Sequence, residues 1–164
     1  MIFPVRVVLW EGVRDLCLRP YRGHPRGCPN YGRRVSCPPT APFFVDVYDL
    51  AQPVYAIVTE FDLASHVARM RSAHPGWSDA QCRCCLYWQP RARKALRAEI
   101  QAFAHEYPGY QVTMTPEAMG VNVTATLRSA GIILEWPPQR ITRQVALAGK
   151  SKVNTGGTHS RPVG

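Results

Sequence analysis

The chain has 164 residues, 46 % of them hydrophobic, and a formal net charge of +9. That length suits one domain burying about 70 % of its unfolded surface, so no metal is needed merely to drive folding, as in a classical zinc finger. No stretch approaches the roughly 20 consecutive apolar residues of a helical membrane span.

Residues 1–10 are apolar but carry Pro4 and Arg6. A secretory signal would put its charge first and end on small residues at a cleavage site. Residues 5–10 read instead as a first strand, and the chain is expected in the cytoplasm, where thiols stay reduced. Residues 11–43 show no sustained periodicity and hold prolines, glycines, arginines and three cysteines. A loop of that length in a compact domain is expected to be functional or tied together. A short helix is predicted over 43–50, and the apolar run 53–59 predicts a central strand. A helix over 63–72 ends at His74-Pro75-Gly76. Ser78 is placed to N-cap the next helix, which Pro90 is expected to break or kink. Leu96, Ile100, Phe103 and Tyr107, spaced four, three and four, mark one face of a helix over 91–107. Strand 110–114, helix 116–130 closed by Gly131, strand 132–136 and an edge strand over 142–147 complete the pattern. The alternation predicts an α/β fold: a single layered domain with a central sheet and a long cysteine-rich N-terminal loop. The metal-binding domain is expected over 1–148, followed by a flexible basic tail over 149–164.

Charge is unevenly placed. Residues 1–40 hold seven arginines against Glu11 and Asp15, and residues 139–164 hold five basic residues and no acidic one. Such flanks suit phosphates, of nucleic acid or of a nucleotide substrate; the plainer alternative is a solvated surface.

Six cysteines in a cytoplasmic chain point to metal binding or catalysis before disulfides. Cys17, Cys28 and Cys37 lie in the loop, and Cys82, Cys84 and Cys85 near the middle helix. Cys28 and Cys37 each precede a proline, as one ligand does in bacterial ferredoxin-type clusters. Proline stiffens the chain beside the sulfur and shields it from water. The long spacings fit a cluster better than a zinc ribbon with its short paired knuckles. The expected centre is an iron–sulfur cluster, of 4Fe–4S type, with zinc as the alternative. Its ligands are expected to be Cys17, Cys28, Cys37 and Cys85, with Cys84 as alternate for the last. The loop sulfurs should lie within roughly 7 Å of one another, the span of a cubane's ligand shell. Cys82 and Cys85, three apart, would share a helix side, with Leu86, Tyr87 and Trp88 forming a dry wall beside Cys85. Arg14, Arg19, Arg22, Arg26, Arg33 and Arg34 would offset thiolate charge. Scattered core thiols are the ordinary alternative, most plausible for Cys82 and Cys84.

The stretch Cys28-Pro29-Asn30-Tyr31-Gly32, with Cys37-Pro38-Pro39 after it, resembles the Cys-x-Asn-Tyr-Gly…Cys-Pro-Pro signature of a family of small cysteine-rich proteins described only as metal-binding. Pro116-Glu117-Ala118-Met119-Gly120-Val121-Asn122-Val123, then Ala130-Gly131, resembles that family's C-terminal segment. The likeness covers most of residues 14–135 and implies metal binding, but no reaction. Family members carry more spaced cysteines in the second half, where this chain has only Cys82, Cys84 and Cys85.

Other features have local readings. His24, in Gly23-His24-Pro25, suits an exposed turn better than a ligand. Tyr31 is expected to pack against the centre. Glu60 and Asp62, after the central strand, could anchor a substrate or cap the following helix. No phosphate loop, G-x-S-x-G elbow or H-E-x-x-H helix occurs. Three function classes follow: a cluster enzyme using an open iron for sulfur chemistry on a nucleobase or RNA, a redox or cluster carrier, and a zinc-stabilised nucleic-acid-binding module.

Overall fold

The computed structural model describes residues 1–21 and 24–152. It is a mixed α/β domain around one antiparallel sheet of four strands, β1 (Ile2–Val5), β2 (Val54–Asp62), β3 (Tyr110–Thr113) and β4 (Ile141–Lys150). The spatial order is β1-β2-β4-β3. The longest ladder joins β2 to β4, from Tyr55 opposite Ala148 to Asp62 opposite Ile141.

The unbroken apolar run in β2 has a simple cause: both sheet faces are covered. Val54, Ala56 and Val58 face one core with Phe44 and Tyr48 near α1 (Phe44–Val47), Val123 and Leu127 of α5 (Val123–Ser129), and Leu147. Ile57 faces the other core, with Leu96 and Phe103 of α4 (Cys85–Glu106) over Ala146 and Ala148. Alanines at those two positions leave room for the large side chains of the helix. The face predicted from Leu96, Ile100, Phe103 and Tyr107 is the one that packs on the sheet. Pro90 lies in the second turn of α4 without ending it. Burial of Trp88, Ala92 and Leu96 on either side of it outweighs one missing hydrogen bond.

Several boundaries differ from the sequence reading. The first strand is Ile2–Val5, not 5–10. Residues 8–10 instead dock on 120–122: Trp10 N–H donates to the Gly120 carbonyl at 2.8 Å, and Asn122 N–H to that of Val8 at 2.8 Å. The expected helix over 116–130 is split into a 3-10 turn (Pro116–Met119) and α5. Gly120 takes φ +83° between them, and a Cβ there would stand 3.2 Å from the Phe43 ring. No strand forms over 132–136. The strand expected at the edge is β4, an inner strand paired on both sides, and it includes Gly149 and Lys150. The boundary at 149 therefore moves outward: Lys152 N–H still donates to the Val47 carbonyl at 2.9 Å. The expected tail beyond it lies outside the described residues. Among the described residues no helix is long and apolar enough to cross a membrane.

A satellite cluster joins α2 (Leu63–Ala73), α3 (Asp79–Cys82) and the start of α4 through Leu63, Val67, Cys82, Trp88 and Ala92. His66 is buried here, and its Nε2 has no hydrogen-bond partner. Burial, then the charge of Arg69, holds its pKa below the usual histidine range, against a hydrogen bond to the Cys82 backbone. The unfolded chain therefore takes up this proton first. His66's stability contribution is complete above about pH 6.5 and is lost as pH falls through the lower folded value. Thermal unfolding at a series of pH values should show a steeper fall below about pH 6.5 in the native chain than in His66→Gln. Equal slopes would remove His66 from the account.

Candidate metal centre

Cys17 lies near the end of a 3-10 helix, Glu11–Leu18. The backbone brings Cys28 directly to it, with the Cys28 N–H donating to the Cys17 carbonyl at 2.7 Å. Gly27 makes this approach possible. It takes φ +81°, and a Cβ there would stand 2.5 Å from the Cys17 oxygen. Cys37 follows through a loop folded back on itself, Gly32 N–H donating to the Pro38 carbonyl at 2.8 Å. The Cys17 thiol is raised above its ordinary pKa, first by burial, then by the negative charges of Cys28 and Cys37, a direct interaction with the Cys28 thiol, and Glu117.

Arg14 is the tie. Its Nη2 donates to the carbonyls of Pro39 at 2.9 Å and Ala41 at 3.0 Å, and its guanidinium lies 4.2 Å over the Phe43 ring. Through these donors Arg14 holds the Cys17 helix against the Cys37 limb. Arg19, Arg26, Arg33 and Arg34 are exposed around the loop, and Arg22 lies outside the described residues.

The second cysteine group separates. No single helix carries Cys82 and Cys85, so the shared-face argument fails. Ser78 caps α3 with a full capping box, α3 ends at Cys82, and Cys84 becomes the N-cap of α4. Cys82 is fully buried in the satellite core. Cys84 is half-buried and Cys85, the first residue of α4, is exposed. Charge on Cys85 nevertheless reaches the Tyr21 hydroxyl, which is raised first by desolvation and then by Cys28, Cys17 and Cys85. The dry wall expected at Leu86, Tyr87 and Trp88 is not formed. Leu86 and Tyr87 are exposed, while Trp88 turns into the satellite core and donates from Nε1 to the Arg83 carbonyl at 3.1 Å.

His24, expected in an exposed turn, is half-buried, its N–H donating to the Tyr21 carbonyl at 2.8 Å and its ring lying 4.6 Å from that of Tyr21. Tyr31 is half-buried and, with His24, Arg26, Cys28 and Arg33, lines an open basic cleft of about 500 Å³. Glu60 and Asp62, expected after the central strand, lie at its end within β2, and both are structural. Glu60 pairs with its cross-strand neighbour Arg143 at 2.6 Å, and Asp62 caps α2 through Ser65 N–H at 2.8 Å. A cleft of about 540 Å³ at Ile133, Glu135, Arg140, Ile141 and Arg143 has no cysteine in its lining, and Arg143 is already held by Glu60.

The residue that sequence reasoning passed over is Glu117, quoted only as part of a resemblance. It is exposed on the 3-10 turn before Gly120, and partial desolvation of its carboxyl raises its pKa, partly offset by its own backbone N–H. Glu-Ala-Met-Gly after a proline signals a tight turn, but nothing local shows that the turn faces Cys17.

The donor chemistry suits a soft metal, since thiolates are the ligands of iron–sulfur clusters and of zinc. Two thiols adjoin and a third acts on them, although among the described residues no three His, Cys, Asp or Glu side chains form a group that could hold a metal ion. Comparison with family models, curated proteins and solved structures found no match for this chain.

Proposed function

We propose that Cys17, Cys28 and Cys37 hold an iron–sulfur cluster of 4Fe–4S type in a cytoplasmic protein. The observation that carries this reading is the backbone bond from Cys28 N–H to the Cys17 carbonyl at 2.7 Å, which brings these two loop cysteines together. Binding to a metal stabilises the thiolates against both the burial and the neighbouring thiols that raise Cys17. The resemblance of residues 28–39 and 116–131 to a metal-binding family supports the same reading, as do six free cysteines for a reducing compartment. With three protein ligands, one iron is left open to act as a Lewis acid or to bind a substrate sulfur. Sulfur chemistry on a nucleobase or RNA is the reaction class we favour, because the basic cleft of His24, Arg26 and Arg33 opens beside Cys28 and suits a phosphate.

A second reading is a redox or cluster carrier with four cysteine ligands, the fourth being Cys85, which is solvent-exposed at the start of α4. Cys84 is the alternate fourth ligand, and zinc the alternative metal. Iron content of Cys85→Ser and Cys84→Ser, prepared without oxygen, separates the readings. Undiminished iron in both supports the open-iron enzyme; loss in either supports the carrier. Undiminished iron in Cys17→Ser would reject both.

A further inference from the structure

A cleft of about 430 Å³ opens on the other limb of the Cys17 helix. Trp10 and Leu16 line it from one segment, Glu117 and Arg128 from another, and Leu134 and Trp136 from the irregular stretch after α5. None of these residues is a proposed metal ligand. Both indoles leave much of their surface in water: Trp10 is 50 % exposed and Trp136 71 %. Two exposed tryptophans lining one concavity form an apolar patch of the kind that marks a binding site.

The cleft is built rather than incidental. Gly12 lies under the Trp10 ring, and a Cβ there would stand 2.8–2.9 Å from three indole atoms. The ring is therefore seated on a residue without a side chain, and the Trp10 N–H is bonded to the Gly120 carbonyl. Glu117, exposed to solvent, lines the same cleft. Among the described residues it forms no ion pair, and its own backbone N–H leaves its carboxylate with acceptor capacity to spare. Arg128 is exposed at the lip.

Aromatic faces take a flat ring, a carboxylate takes two adjacent N–H donors, and a guanidinium takes a phosphate. A guanine-type base with its phosphate offers all three. We propose that this cleft binds a guanine-type nucleotide, its ring against Trp10 and Trp136, its paired N–H edge on Glu117 and its phosphate toward Arg128. It is a separate cleft from the basic one beside Cys28, with no cysteine in its lining, and so goes beyond the proposed centre.

The test is equilibrium dialysis and tryptophan fluorescence of the full chain with guanosine, guanosine monophosphate and adenosine. Guanosine should quench the fluorescence and bind at least about tenfold more tightly than adenosine, which lacks the paired N–H edge. Glu117→Gln should lose about tenfold for guanosine with an unchanged melting temperature, and Trp136→Ala should lose a similar factor. Arg128→Ala should remove the advantage of the monophosphate over guanosine. Cys28→Ser, which lacks the proposed centre, should still bind guanosine. A native chain that binds guanosine but holds no iron when prepared without oxygen would refute the cluster and leave the cleft intact. Equal affinity for guanosine and adenosine, or undiminished binding by a folded Glu117→Gln, would overturn the inference.

Discussion

Phe103→Ala is expected to lower folding stability by about 3–5 kcal/mol, the cost of an emptied aromatic core site. Phe103 is fully buried and stands at the centre of the α4–sheet contact. Its ring stacks on Tyr107 with centroids 4.6 Å apart, and Tyr55 and Tyr110 lie 5.8 Å away on the strands. These partners belong to different elements and cannot collapse together into the space left behind. For a chain of this length the melting temperature should fall by roughly 6–20 °C. Leu86→Ala, at an exposed position of the same helix, should change stability by no more than about 0.5 kcal/mol. A loss below about 1 kcal/mol for Phe103→Ala would mean that α4 is not docked as described.

Cys28→Ser is expected to remove nearly all of the bound iron and the visible absorption with it. Cys28 belongs to the proposed centre twice, through its thiol and through the backbone bond that seats Cys17. Gly27→Ala separates the two contributions, since it keeps every thiol. Its Cβ cannot fit 2.5 Å from the Cys17 oxygen, so the limbs must part, and most of the iron should go with them. Cys82→Ser should do the reverse. It puts a hydroxyl into an apolar cluster, costing about 1–3 kcal/mol of stability, and leaves iron unchanged. Iron content and thermal unfolding on the same preparations check all three variants. Iron retained by Cys28→Ser and Gly27→Ala would contradict a centre at this place.

The parts of the fold legible in the sequence are those specified locally. The apolar run of β2, the 3.6-residue stripe of α4 and the Ser78 cap each carry their signal within a few residues. Asp62 took the plainer of its two readings, as the cap of α2, for the same reason. What escaped depends on contacts distant in sequence. Nothing in residues 142–147 says whether one strand or two will pair with them, so an inner strand reads as an edge. Gly120 interrupts a helical pattern because Phe43, far upstream, occupies the space beside it. The Cys82–Cys85 stretch reads as one helix until Cys84 is seen to cap α4, which sends Cys82 into the core and Cys85 into solvent. The loop was legible as something in need of a tie. The role of Arg14 was not, because its partners are backbone carbonyls, which every residue has. Glu117 carried no signal of its own, since its place in a cleft with Trp10 and Trp136 is a property of three separate segments.

The most direct test of the cluster is the visible spectrum of the full chain purified without oxygen, read together with its iron and sulfide content. A cluster on Cys17, Cys28 and Cys37 predicts a brown protein absorbing near about 400 nm, with about four irons and as many sulfides per chain. A colourless protein with about one zinc per chain, or with no metal, would contradict it.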